Sequence, residues 1–168
     1  HEGIRRQNAE IDAIINNPAA PTFENTIVPY EKSGELLHRV TTVFGNLLSA
    51  ETSDELQELA REIMPLMSEH ENNISLNEKL FARIKAAYEL TDKNKLTPEQ
   101  SKLLEDIYTG FVRNGANLQG DAKEKYRKLC KELSLLTLQF SENALKETND
   151  YQLVLTNKSQ LSGLPESA

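Results

Sequence analysis

Residues 35–48 read Glu35-Leu36-Leu37-His38-Arg39-Val40-Thr41-Thr42-Val43-Phe44-Gly45-Asn46-Leu47-Leu48, and this stretch has the strongest helical pattern in the chain. Its apolar residues recur at steps of three and four positions, which places them on one face of an α-helix. Such a face is normally buried against other elements, so we expect the apolar residues from Leu36 to Leu48 to be core. The stretch predicts a protein built from packed helices.

The residues before this stretch predict a helix, a linker and a helix start. A short amphipathic pattern ends at Asn16-Asn17-Pro18, and the linker runs from Pro18 to Pro21. Thr22 is placed to cap a long second helix that includes residues 35–48.

Start and stop signals divide the middle of the chain into further helices. Thr52 with Glu55 has the spacing of a capping box, and Pro65 should kink or break the helix that follows. Thr97-Pro98-Glu99-Gln100 combines an N-cap threonine, proline at the first helical position and a glutamine that can cap back. Gly115 then ends that helix.

The last long helix opens with Asp121 and Glu124 and continues to about Leu145. Its apolar stripe consists of Tyr126, Leu129, Leu133, Leu136, Phe140 and Ala144. Beyond it, Tyr151 to Thr156 alternates like a β-strand. A lone strand leaves its backbone donors and acceptors unpaired, so this strand needs a partner from outside the chain.

Together these elements predict an all-α fold. The expected architecture is an antiparallel bundle of about six helices with one short strand near the C-terminus, because short connections favour packing between sequential helices. Residues 1–168 are expected to form a single helical region.

Composition excludes several classes of function. The chain has 26 acidic and 19 basic side chains, for a net charge of −7, with the signs interspersed, so we expect no nucleic-acid partner. Its longest uncharged, mostly apolar run, Val40 to Ala50, is far shorter than the roughly 18 residues of a membrane span, so we expect no membrane partner. A single cysteine, Cys130, cannot form an intramolecular disulfide and is expected to be a small core residue.

A zinc peptidase helix needs two histidines four positions apart, with a glutamate beside the first. The nearest string here is His70-Glu71-Asn72-Asn73-Ile74, in which isoleucine replaces the second ligand, and the other histidines, His1 and His38, are distant in sequence. We therefore interpret His70 as a partly buried, hydrogen-bonded side chain on the apolar stripe of its helix. Nucleophile elbows and phosphate-binding glycine loops are also missing, so the sequence yields no candidate catalytic, cofactor-binding or metal-binding residue.

Several strings of the chain resemble one family. Pro21-Thr22-Phe23-Glu24-Asn25-Thr26-Ile27 is similar to a signature of the thimet oligopeptidase and peptidyl-dipeptidase family of zinc metallopeptidases. Residues 31–37, 76–83 and 111–118 resemble further family segments in the right order, the first in the peptidyl-dipeptidase manner. Leu161-Ser162-Gly163-Leu164-Pro165 resembles the turn after the family's long helix.

The resemblance implies a large helical enzyme in which two halves flank a deep channel, with zinc on a His-Glu-x-x-His helix. Those ligands belong to a region beyond Ala168, so we expect this chain to be an N-terminal, non-catalytic part that helps to form the substrate channel. The implied parent is a zinc peptidyl-dipeptidase that removes dipeptides from the C-termini of short peptides. Its implied partners are the missing C-terminal catalytic region and short peptide substrates. Zinc is expected in the parent and not in this part.

Two alternatives remain open at this stage. An oligopeptidase of the same family would cleave inside short peptides, and a stand-alone helical interaction module would have the same composition. A cytoplasmic location is expected, although the first residues of the chain do not determine it. A periplasmic location stays open because the chain starts at His1 and is expected to be trimmed from something longer.

Overall fold

The computed structural model describes residues 1–163, and within that range the chain contains helices and no strands. Six helices have 13 or more residues, and a seventh, α2, has five. The bounds are α1 Glu2–Ile15, α2 Val28–Lys32, α3 Glu35–Ala50, α4 Asp54–Ser75, α5 Glu78–Leu90, α6 Pro98–Arg113 and α7 Gly120–Asp150. The all-α prediction is confirmed.

The predicted second helix is two helices joined by a bend. Thr22 does cap it, in a reciprocal capping box with Asn25 that starts a single π-helical turn, Phe23–Ile27, before α2. The helix then stops at Ser33, and Gly34 adopts the left-handed conformation with φ +77°. Glycine has no Cβ, so it occupies this region at little cost and lets the chain turn into α3.

The other capping predictions have mixed outcomes. The box between Thr97 and Gln100 is confirmed, with both side-chain to backbone hydrogen bonds present. The predicted box at Thr52 is wrong by one position, because the Ser53 hydroxyl accepts the hydrogen bond from the Leu56 amide. Pro65 does not break α4, which continues through it to Ser75.

The hydrophobic core lies where α1, the π-helical turn, the end of α4, α5 and α6 meet. It consists of Ile11, Ile14, Phe23, Ile27, Ile74, Leu80, Ile84, Ala87, Leu104, Ile107, Phe111 and Ala116. Arg83 on α5 ties the linker to this core by donating hydrogen bonds to the carbonyl oxygens of Asn17, at 2.7 Å, and Ala19, at 3.2 Å. The first helix and the linker are therefore held against α5.

The expectation that the apolar face of residues 36–48 is core is wrong. Neither α3 nor α7 contributes a fully buried residue. Helix α7 packs along α4, and helix α3 packs on α1. The main packing partner of each is therefore not its neighbour in sequence, although the short connections predicted packing between sequential helices. Cys130 on α7 is partly buried and outside the core. The helical period of the apolar residues identifies an apolar face, but it does not show which part of the protein covers that face.

The predicted strand at Tyr151 to Thr156 is also wrong for the chain as described. These residues form neither helix nor strand, and their side chains are exposed. A strand requires a second strand to accept and donate its backbone hydrogen bonds, and the described residues provide none. Leu164 and Pro165, the end of the last family-like string, lie outside the described residues.

Candidate functional site

An open cleft of about 950 Å³ lies between α1, the bend from α2 to α3, and the C-terminal half of α4. Its polar lining includes Gln7, Glu31, Glu35, His38 and His70. The cleft brings together two of the three histidines of the chain, His38 and His70. His70 is 5% exposed, whereas His38 lies on the exposed side of α3.

A hydrogen bond between α1 and α4 closes the floor of this cleft. The Nε2 atom of His70 lies 2.7 Å from the side-chain Oε1 of Gln7. An amide oxygen only accepts, so in this arrangement Nε2 carries the proton and donates. The interpretation of His70 as a hydrogen-bonded side chain on a helix stripe is confirmed.

The bend at Gly34 is fitted against two residues of α1, Glu10 and Gln7. Its backbone N–H donates to the Glu10 carboxylate at 2.7 Å, and a Cβ at this position would collide with the side chain of Gln7. The sequence places Gly34 in a family-like string, where a glycine suits tight packing or a helix end, but it does not identify Gln7. The signal available for Gly34 was a glycine between two helical segments. No local pattern could reveal the role of Gln7, because its hydrogen-bond partner His70 is 63 residues away.

Burial shifts the titration of groups around the cleft toward their uncharged forms. It lowers the pKa of His70 and raises the pKa of Glu71. It also raises the pKa of Tyr30 to about 12, with a smaller contribution from the neighbouring Glu31 carboxylate. His70 is thus neutral at pH 7 and serves as a hydrogen-bond donor in the floor of the cleft.

The donor set of this cleft does not fit the zinc that the family resemblance implies. Within residues 1–163 no three His, Cys, Asp or Glu side chains converge on a point where a metal ion could sit. The Nε2 atom of His70, which could otherwise bind a metal ion, is hydrogen-bonded to Gln7. We therefore assign no metal chemistry to the residues of this cleft.

A second feature is the apolar surface left by α3 and α7. Val40, Val43 and Leu47 of α3 form an outward stripe that is about half exposed, and α7 carries a longer one. Large contiguous apolar patches on protein surfaces usually mark interfaces. Within the described residues, no helix is long and apolar enough to cross a membrane.

Relatives of known identity match almost the whole chain. A dipeptidyl carboxypeptidase of Escherichia coli is 41% identical over 165 residues, which is 98% of this chain and 24% of the relative. A dipeptidyl carboxypeptidase of Salmonella typhimurium is 37% identical over 97% of the chain and 24% of the relative. An oligopeptidase A of Haemophilus influenzae is 28% identical over 94% of the chain and 23% of the relative. The chain thus spans about a quarter of the length of these relatives.

The sequence profile of one domain family covers most of the described helices. The profile is that of the Neurolysin/Thimet oligopeptidase N-terminal domain, and it matches residues 3–123, from α1 to the start of α7. Both faces of the cleft and the whole core fall within this match. The chain therefore belongs to the N-terminal domain family of neurolysin and thimet oligopeptidase.

Proposed function

We propose that the chain is the N-terminal, non-catalytic part of a zinc peptidyl-dipeptidase, and that its helices form one wall of the substrate channel. The parent enzyme removes dipeptides from the C-termini of short peptides. The observation that carries the proposal is the 41% identity with a dipeptidyl carboxypeptidase over 98% of this chain, against 28% for an oligopeptidase A.

The distribution of surface supports a wall rather than a catalytic unit. The chain has one core, around α5 and α6, and two helices, α3 and α7, without a buried residue. Such helices suit a part that is completed by packing against the rest of a longer polypeptide. A wall of this kind limits substrates to short, flexible peptides because folded proteins cannot enter the channel.

The experiment uses the complete protein encoded by the reading frame that contains this chain. We expect stepwise release of dipeptides from the C-terminus of an unstructured peptide, read by mass spectrometry, and loss of that activity on chelation with recovery on adding zinc. A folded protein with the same C-terminal sequence should be resistant. Internal cleavage products would instead identify an oligopeptidase, and no cleavage at all would leave the interaction-module interpretation.

The wall itself is tested by dividing the protein after this region. The C-terminal part expressed alone should be inactive or lose its preference for short peptides, and addition of residues 1–168 should restore that preference. Full, size-restricted activity of the C-terminal part alone would contradict the wall.

A further inference from the structure

Helix α7 has apolar residues on two sides, and α4 faces one of them, where Leu138 lines a cavity together with Met64 of α4. The side toward α4 is marked by Arg127, whose guanidinium donates to Asn73 at 2.7 Å, and by Glu142, which pairs with Arg61 at 3.0 Å. These contacts lie 15 residues apart along α7 and fix the orientation of the helix against α4.

The other side is an outward stripe made of Leu129, Leu133, Leu136 and Phe140. Leu129 follows Arg127 by two positions, and Phe140 precedes Glu142 by two, which is a rotation of about 200° in an α-helix. The four side chains are 54%, 63%, 53% and 74% exposed, respectively. The stripe that the sequence predicted for this helix therefore points away from the body of the chain.

A helix with apolar residues on opposite sides is typical of the interior of a larger body, where it lies between two layers. The stripe extends over about three turns, or roughly 16 Å. This length matches one helix packed alongside α7 with its side chains in the grooves of the stripe.

We propose that this outward stripe of α7 is an intramolecular docking surface, covered by an apolar helix face from the remainder of the longer polypeptide. The inference rests on the proposed function, in which such a remainder exists. The lengths of the relatives support the presence of such a remainder, because the chain spans only 24% of each of the two dipeptidyl carboxypeptidases.

The size of the stripe favours this occupant over a second copy of the chain. Stable dimers bury roughly 20 to 30 residues on each side, and the stripe offers four large side chains. Association of two chains must also overcome the loss of translational and rotational freedom, which a segment of the same polypeptide does not incur.

Thiol accessibility in the complete protein tests the proposal. Leu136→Cys places a thiol on the stripe, and Leu90→Cys is a matched control, because Leu90 is 72% exposed at the end of α5 and away from α7. Maleimide labelling at each position is followed by mass spectrometry in the native protein. We expect labelling at position 136 to be at least tenfold slower than at position 90 and independent of protein concentration.

A second pair of variants measures the energetic consequence. Phe140→Glu should lower the melting temperature of the complete protein by several degrees, and Leu90→Glu should leave it unchanged. If Phe140→Glu fails to fold while Leu90→Glu folds, that result also supports the docking surface. Equal labelling rates at positions 136 and 90 would overturn the proposal, as would protection that disappears on dilution, since the latter identifies a second copy.

The two levels of proposal fail separately. If the wild-type protein releases dipeptides but the Leu136→Cys variant labels as fast as the Leu90→Cys variant, the proposed function stands and only the docking surface is overturned. A wild-type protein without peptidase activity would remove the proposed function whatever the labelling rates.

Discussion

Replacement of Gly34 by alanine is expected to be among the most destabilising single-methyl changes in this chain. Gly34 has φ +77°, where a side chain costs roughly 1–2 kcal/mol. The new Cβ would also collide with Gln7 and displace it from His70. A buried donor left without a partner costs about 1–3 kcal/mol, while the smaller freedom of the unfolded alanine chain returns about 0.4–1 kcal/mol.

The net expectation for Gly34→Ala is a loss of about 1–5 kcal/mol in the free energy of unfolding. Alanine variants of two other glycines separate the contribution of backbone strain to this loss from that of the collision with Gln7. Gly120 has φ +53° but open space around its Cβ position, so Gly120→Ala should show the backbone strain alone. Gly45 lies inside α3 in open space, so Gly45→Ala should stabilise the chain by about 0.5–1 kcal/mol.

The measurement is urea unfolding followed by circular dichroism, with the four proteins at equal concentration. A loss for Gly34→Ala no larger than that for Gly120→Ala would refute the part of the reasoning that involves Gln7 and His70. Unchanged stability in both variants would refute the backbone argument as well.

Four further predictions concern the cleft and zinc binding. His70→Ala should lower the free energy of unfolding in urea by roughly 1–3 kcal/mol without changing turnover in the complete enzyme. The control His38→Ala, at an exposed position, should change that free energy by less than about 0.5 kcal/mol. A His70→Ala enzyme that folds normally but loses turnover and zinc together would contradict the prediction. Burial lowers the pKa of His70 from its ordinary 6.5, so the unfolded chain binds the extra proton and stability should rise with pH through the window just below 6.5, a slope that His70→Gln should remove. Burial raises the pKa of Glu71 from 4.5, so stability should fall as the pH rises through its higher folded value, and Glu71→Gln should remove that opposing slope in the same titration. Elemental analysis of the isolated chain should find no stoichiometric zinc, and one tightly held zinc per chain would contradict the prediction.

Local chemistry made much of the secondary structure predictable. The boxes at Thr22 and Thr97 depend on side chains three residues from the amides that they bind, so short patterns suffice to identify them. The same reasoning misplaced the cap of α4, because Thr52 and Ser53 are adjacent and both can accept the hydrogen bond. The bend at Gly34 was missed because the apolar period continues across it, and the period does not record the sign of φ.

The cleft was predictable only in part, because its key contact joins distant residues. His70 was correctly interpreted from its place on a helix stripe, yet Gln7 carries no signal beyond being polar on an amphipathic helix. The Asn17 carbonyl that receives the Arg83 guanidinium was invisible for the same reason. Which residues of two helices meet depends on how the helices pack against each other. A single sequence shows the apolar face of each helix but not how far one helix is shifted along the other.

The misassigned faces of α3 and α7 carry the functional information in this chain. Selection for a buried position leaves the same apolar period whether the covering residues belong to this chain or to another part of the polypeptide. Val43 was therefore rightly predicted as an apolar-face residue and wrongly placed in this core, and Leu133, rightly predicted on an apolar stripe, is exposed as well. The difference between the predicted and observed burial of such residues therefore identifies the surfaces that the proposed remainder of the polypeptide should cover. On that proposal, α7 would contact the catalytic part through Leu129 to Phe140, whereas the cleft around His70 has its own hydrogen bonds within this chain.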